Sequence, residues 1–272
     1  ILTEMKENNL AFDVALKQAQ ELGFAEADPT FDIEGVDAAH KITILASIAF
    51  GIPINFKATY VEGISNLEQK DIMYAEDLGY KIKLLGITKC FNEIVEQRVH
   101  PTLIPKNQLV ANVDGAMNAV LVQGNKVGPT LYYGAGAGSE PTASAVVADI
   151  IDLARNIESN NANSIPILGF IKDEIKAKKI LLIEDITSEF YIRLSMKNES
   201  GVLDKITQVF AQHSLSINAM VQKEIQDDDV VDIILVTSNI IEKEMEKIIY
   251  EIEALPENID KAIKLRIEQL NS

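Results

Sequence analysis

The densest run of chemistry-bearing side chains lies at residues 26–41, where Glu26, Asp28, Asp32, Glu34 and Asp37 precede Lys41. Asp37 and Lys41 stand four residues apart at the start of an apolar-periodic stretch, so a helix there carries both on one face. A carboxylate in a first helical turn also suits the helix dipole. Carboxylates in the preceding loop fit the ammonium group of a small substrate. A lysine in a partly buried pocket can exchange a proton with a hydroxyl or carbonyl oxygen. Two plainer arrangements use the same residues. The loop can be capping and solvated surface, with Asp37–Lys41 a helix salt bridge worth about a few tenths of a kcal/mol. Or Glu26, Asp28 and Asp32 can converge on a cation such as Ca²⁺, although the spacing is not that of an EF-hand loop.

Two glycine-bearing turns are the other candidates. Residues 134–138 read Gly134-Ala-Gly136-Ala137-Gly138 and lead through Ser139 and Pro141 into an apolar helical pattern. Glycines let a backbone approach a ligand closely, and a following helix N-terminus favours an anion. The spacing is GxGxG rather than GxGxxG, and no complete βαβ dinucleotide fingerprint with its acidic ribose partner occurs in the chain. The same turn can be only a turn. Further on, Asn198, Gly201, Val202 and Leu203 form a strand-to-helix turn, which is unremarkable by itself.

The 272 residues carry 25 Lys and Arg against 41 Asp and Glu, a formal charge of −16. That balance argues against nucleic acid, whose binding needs a basic patch. Hydrophobic residues make up 47% and charged ones 24%, as in a folded globular chain. One cysteine, Cys90, excludes an internal disulfide, and three scattered histidines give no zinc pattern, so no metal is expected. No apolar run reaches the ~20 residues of a membrane span, and no signal peptide opens the chain, so a cytoplasmic, membrane-free protein is expected. The chain starts directly inside a helical pattern at Ile1, without Met, which points to an upstream domain missing from it.

The elements that must position these residues follow from periodicity. Three helices are expected in the first ~50 residues, with the acidic, Pro29-containing stretch 25–35 as a loop. The helix over 36–50 is stopped by Gly51-Ile52-Pro53, and another over 66–78 by Gly79. From 80 to 133 the period becomes two, with Ile94, Glu96 and Arg98 facing away from Val95, Gln97 and Val99, and turns at Pro101, Pro105, Asp114-Gly115 and Gln123-Gly124. This reads as an antiparallel or mixed sheet, followed by a helix over 141–157. The polar run 159–166 and the charged run 172–179 mark a boundary. Strands near 192–196, 217–223, 230–237 and 263–267, with helices over 202–210 and 245–252, give the ferredoxin-like order βαββαβ. The fold class is α+β in two units: residues 1–170, a linker over 171–188, and 189–272.

The run ALKQAQELGFAEADPTFDIEGVDAAHKITILASIAFG and the later YGAGAGSEPTASAVVADIIDLA resemble homoserine dehydrogenase, and the tail from Phe190 resembles an ACT domain. The resemblance implies a catalytic and dimerisation domain followed by an amino-acid-sensing module. It implies reversible, NAD(P)-dependent reduction of L-aspartate 4-semialdehyde to L-homoserine, in threonine and methionine biosynthesis. The cofactor would be bound mainly by an N-terminal Rossmann domain absent from this chain. Glu26 matches the family's homoserine-binding glutamate and Asp32 a second contact to the substrate amine. Asp37 and Lys41 match the catalytic pair, with Lys41 the proton donor to the aldehyde oxygen. Gly134, Gly136, Ala137 and Gly138 match a segment lying against the cofactor. Asn198, Gly201, Val202 and Leu203 match the turn that takes an amino-acid effector, of which threonine is the leading candidate. A homodimer or homotetramer is implied. Two departures are visible: His40 stands where the family often has Arg, and Ser200 replaces the proline common before the ACT glycine. The alternative is a non-catalytic, amino-acid-binding and dimerising regulatory fragment.

Overall fold

The computed structural model describes residues 1–23, 25, 27–136, 138–159, 166, 169–224 and 229–270. The chain opens with α1 (Leu2–Glu7) and α2 (Phe12–Glu21), then α3 (Thr30–Ile33) and α4 (Val36–Phe50). Strand β1 (Tyr60–Val61) and helix α5 (Gln69–Asp77) precede two long strands, β2 (Tyr80–Phe91) and β3 (Ile94–Pro105). A hairpin, β4 (Met117–Gly124) and β5 (Gly128–Ala135), leads into α6 (Ser139–Ser159). After β6 (Lys179–Ile180) come β7 (Thr187–Lys197), α7 (Val202–Gln212), β8 (Ile217–Glu224), β9 (Val230–Thr237), β10 (Ile240–Ile241), α8 (Glu242–Glu253) and β11 (Ile263–Ile267).

The expected α+β class and the βαββαβ tail are both present. The tail's strands run β11-β7-β9-β8, all antiparallel neighbours, with β10 an added bridge to β7. Helix α4 has the bounds its periodicity set, between Gly35 and Gly51, both in the left-handed region (φ 76° and 61°). Helix α5 is shorter than expected, because Glu68 and Asp71 close a capping box that starts it at Gln69. The acidic stretch holds one helical turn, α3, N-capped by Pro29; just ahead of it the Asp28 carboxylate accepts bonds from the Thr30 hydroxyl (2.6 Å) and N–H (3.2 Å). Of the polar run at 159–166, residues 160–165 lie outside the described residues.

Strand β3 joins the two units. Its one edge pairs antiparallel with β2 along its whole length. Its other edge takes three short parallel strands in turn: β6 at Ile94–Val95, β1 at Arg98–Val99 and β11 at Thr102–Leu103. The sheet therefore continues from the N-terminal half into the C-terminal unit. The stretch 171–188, expected as a linker, contributes β6 to this sheet and begins β7.

Each face of the sheet carries its own core. Phe190, Ile192, Leu194, Ile233 and Leu235 pack beneath α7 and α8 with Ile206, Phe210, Met245 and Ile248. On the other face Tyr191, Ile234, Val236, Leu265 and Ile267 pack with Met5, Ala15, Ile72, Ala75, Ile82 and Leu103 of the N-terminal half. Arg98 shares a side of β3 with Glu96, as the alternation predicts, but that side is buried there. Arg98 is 2% exposed, and its guanidinium pairs with Glu268 (3.0 Å) and with Glu96, so the charge is buried with partners. Arg193 of β7 is likewise buried, donating to Asp71 (2.6 and 3.1 Å) and Glu68 (2.7 Å) at the start of α5.

Candidate functional site

Helix α4 lies across β2 and β3 with Ala39, Ile42, Thr43, Ala46 and Ser47 buried, which turns His40 and Lys41 outward. Its seat is fitted closely. A Cβ at Gly86 of β2 would come within 3.1 Å of Ile42, and one at Gly35 within 3.0 Å of Val99. Beneath the helix, the Gln97 amide donates to Thr43 Oγ1 (3.2 Å) and to Thr59 Oγ1. These buried polar groups fix the rotation of α4 on the sheet, because each would lose its partner if the helix turned.

On the outer face the Lys41 ammonium donates to the Asp37 carboxylate, the pairing their spacing predicts. The two side chains are 67% and 47% exposed, so the pair stands open to a ligand or partner rather than in a closed pocket. Asp32 sits exposed on α3, one turn of chain ahead of Gly35. The Thr30 hydroxyl and N–H hold the Asp28 carboxyl below the usual carboxylate range. His40 packs edge-on against Phe56 (4.5 Å between ring centres) and Phe31 (5.9 Å). Glu26, the remaining expected member, lies outside the described residues. Among the described residues no three His, Cys, Asp or Glu gather as a metal-ligating group.

The glycine-rich turn closes the β4–β5 hairpin side of the molecule. Gly134, next to the last residue of β5, has open space around a would-be Cβ; Gly136 abuts the Asn118 amide, which a Cβ would meet at 2.0 Å; Gly138 has φ 117°. A Cβ at Gly136 would require the Asn118 side chain to move, the positive φ of Gly138 favours glycine, and the space around Gly134 is open. Ala137 lies outside the described residues. Helix α6 exposes Val146, Val147, Ile150, Leu153 and Ile157, and the hairpin exposes Val120, Val122, Tyr132 and Tyr133.

The third candidate is a cavity of about 290 Å³ at the turn between β7 and α7. Asn198, Gly201, Val202 and Leu203 line it as expected, with Lys197, Glu199 and Ser200 beside them. Gly201 takes φ 91° as the residue before α7, so the helix opens its N–H groups toward the cavity. Its far wall is Gln222, Val231 and Ile233, which sequence reasoning missed. No local pattern marked them: the β8–β9 register sets Gln222 opposite Ile233.

A family model for homoserine dehydrogenase matches residues 1–151, and one for the ACT domain matches residues 190–257. A homoserine dehydrogenase of Neisseria gonorrhoeae is 53% identical over 272 residues, all of this chain and 62% of that protein. One of Pseudomonas aeruginosa is 49% identical over the same length, 63% of its own. Among solved structures, a homoserine dehydrogenase from Thiobacillus denitrificans superposes with a TM-score of 0.91 at 54% identity, covering 99% of this chain and 61% of that one. The chain thus spans about three fifths of the length of the relatives it matches.

Proposed function

Because the chain belongs to the homoserine dehydrogenase family, we propose that it is the substrate-handling and regulatory portion of an NAD(P)-dependent homoserine dehydrogenase. The observation that carries the proposal is the Asp37–Lys41 pair on the outer face of α4, inside the family-matched segment and held by a rigid seat. In the reducing direction NAD(P)H, when bound, supplies the hydride to C4 of L-aspartate 4-semialdehyde. Lys41 gives a proton to the aldehyde oxygen and, as a cation beside it, stabilises the alkoxide that develops there. Asp37 holds the ammonium in place for that transfer. Glu26 and Asp32 take the substrate's amine and so fix which carbon faces the cofactor. The open backbone at Gly134 and the start of α6 fit one wall of a cofactor site, completed by a domain outside this chain. The exposed apolar faces of α6 and the hairpin support burial against that domain or a second copy, in a homodimer or homotetramer. The cavity at Gly201 suits a small amino acid, with threonine proposed as the effector and a cytoplasmic setting for the whole. No helix among the described residues is long and apolar enough to cross a membrane.

The test joins the chain to its cofactor domain and follows homoserine-dependent reduction of NAD(P)⁺. Turnover is expected from the joined protein and not from residues 1–272 alone. Glu26→Gln is expected to raise the homoserine KM by about tenfold or more with a smaller effect on kcat, as for a contact made in ground and transition states alike. Absence of homoserine-dependent reduction by the joined protein refutes the assignment.

A further inference from the structure

A buried guanidinium in the last strand reaches across the sheet to the loop that props the Asp32–Lys41 segment. Arg266 of β11 is 3% exposed. It holds Glu242, at the start of α8, through two near-parallel bonds (Nε–Oε2 2.8 Å, Nη2–Oε1 2.6 Å). Its remaining arm donates to Glu62 (2.7 Å), just after β1, and the guanidinium lies over the Tyr60 ring at 5.0 Å. The Tyr60 hydroxyl completes the cluster by donating to the same Glu62 oxygen (2.7 Å). Burial alone would raise the Glu242 carboxyl, but Arg266 and Lys264 outweigh it and keep it low; burial pushes the Tyr60 phenol up to about 12.

From Glu62 the chain runs directly onto the proposed catalytic segment. A Cβ at Gly63 would stand 2.5 Å from the Ile33 carbonyl and 2.6 Å from Glu34 Cα, so the two backbones touch. The Ile64 N–H donates to the Ile33 carbonyl (2.8 Å), and the Ser65 hydroxyl donates to the Glu34 carboxylate. Gly35, the residue that opens α4, lies within 3.5 Å of the Glu62 carbonyl at its would-be Cβ. Asp37 follows two residues later and Lys41 one turn beyond. Glu62 itself is tied to β3 by its N–H to Val99 O (2.9 Å).

We infer that Glu62 and Arg266 are positioning residues for the Asp37–Lys41 pair, linking the C-terminal unit to the segment 32–41. This rests on the reading of Asp37 and Lys41 as the proton-handling pair. The link is charge-dependent. Arg266 keeps Glu242 when Glu62 is neutralised, so the C-terminal unit stays whole while loop 62–65 is released.

The experiment compares wild type with Glu62→Gln, and with Arg266→Lys as a second variant that keeps the charge but loses the fork. Amide hydrogen exchange is measured on the 272-residue chain, and homoserine kinetics on the protein joined to its cofactor domain. In Glu62→Gln, amides of residues 32–41 are expected to exchange about tenfold faster or more, while those of α8 keep wild-type rates. The kcat for homoserine is expected to fall about tenfold or more, as for a small misplacement of a reacting group, with the cofactor KM unchanged. Arg266→Lys, whose lost fork also loosens Glu242, is expected to speed exchange in residues 32–41 together with the start of α8. Wild-type exchange at 32–41 in both variants overturns the link. So does equal acceleration in 32–41 and α8 of Glu62→Gln, which is general destabilisation. If residues 32–41 loosen but kcat and KM match wild type, the positioning role is refuted while the activity stands. If wild type itself does not oxidise homoserine, the proposed function falls, and the exchange pattern alone decides the link.

Discussion

Lys41→Ala separates the catalytic reading of the α4 face from a purely structural one. In the structure Lys41 and Asp37 are 67% and 47% exposed, and they are four residues apart on one helix. Such a pair contributes about 0.3–0.5 kcal/mol. Alanine is a slightly better helix former than lysine, which offsets part of that loss. The net structural cost is therefore below about 0.5 kcal/mol, and Tm should move by less than ~2 °C for a chain of this size. A positioned proton donor contributes far more to the rate. Its loss typically lowers kcat by about 10²-fold, equivalent to ~2.7 kcal/mol of activation free energy. The variant should thus lose roughly five times more in catalysis than in stability, with the homoserine KM little changed. The assay pairs saturating-substrate kinetics of the protein joined to its cofactor domain with thermal unfolding of the same preparation. A kcat within about threefold of wild type makes Lys41 a surface ion-pair residue and removes it from the mechanism. A fall in kcat accompanied by a drop in Tm of more than ~5 °C attributes the loss to misfolding and equally defeats the reasoning.

Three further outcomes are expected. Gly201→Val meets no neighbour within 4 Å but forces a β-branched residue to φ 91°, a strain of about 1–2 kcal/mol at the mouth of the cavity; it should abolish inhibition by threonine and leave uninhibited turnover intact, measured as an inhibition curve. Asp71→Ala strips the buried Arg193 of its main partner and should cost ~3–5 kcal/mol in urea unfolding, whereas Asp77→Ala, which breaks the exposed pair with Lys223, should cost less than ~1 kcal/mol. His100 is held well below its usual value of 6.5 by burial and by Arg266 and Arg98, so it stays neutral when folded, while the unfolded chain gains a proton as pH falls through that value. Stability should therefore fall as pH drops below about 6.5, and His100→Gln should flatten that limb of the unfolding midpoint against pH.

What the sequence showed and what it hid divide along physical lines. Helix α4 and strands β9 and β11 have the bounds expected for them, because glycine stops, a continuous apolar run and clean alternation respectively frame them. The α4 pairing was legible because i,i+4 geometry is local. Strands β1, β6 and β10 were not, since two residues carry no period. The first two exist because β3 offers an edge far away in sequence, and β10 because β7 does. The burial of Arg98 was not legible for a related reason. Alternation places a charge outward unless its partner is visible, and Glu268 lies 170 residues on. The better signal was a single charge inside an apolar strand. Arg193 between Ile192 and Leu194, Asp232 within Val230–Thr237 and Arg266 between Leu265 and Ile267 are all buried and paired. The cavity wall at Gln222 and Ile233 needed the β8–β9 register, which no local pattern supplies.

The placement of these charges bears on how the two matched segments can move. The family models break between residues 151 and 190, yet one apolar core spans Met5 to Ile267 and one sheet runs through β3 into β11. Three buried arginines cross that seam: Arg98 to Glu268, Arg193 to Asp71, and Arg266 to Glu62. Swinging the C-terminal unit away from the N-terminal half would expose the shared core and break each pair, at about 3–5 kcal/mol for every buried charge left alone. The effector proposed for the Gly201 cavity would supply too little differential free energy to drive such an opening, given couplings of about 1–3 kcal/mol. Its influence must then travel as a small shift within a closed body. Strand β9 suits this, because Val231 and Ile233 face the cavity while Asp232, on the opposite side, holds Lys70 (3.3 Å), Tyr74 (3.3 Å) and Ser195 (2.6 Å). A ligand that displaces β9 presses on α5 through Asp232, and α5 lies against β2, the strand that seats α4.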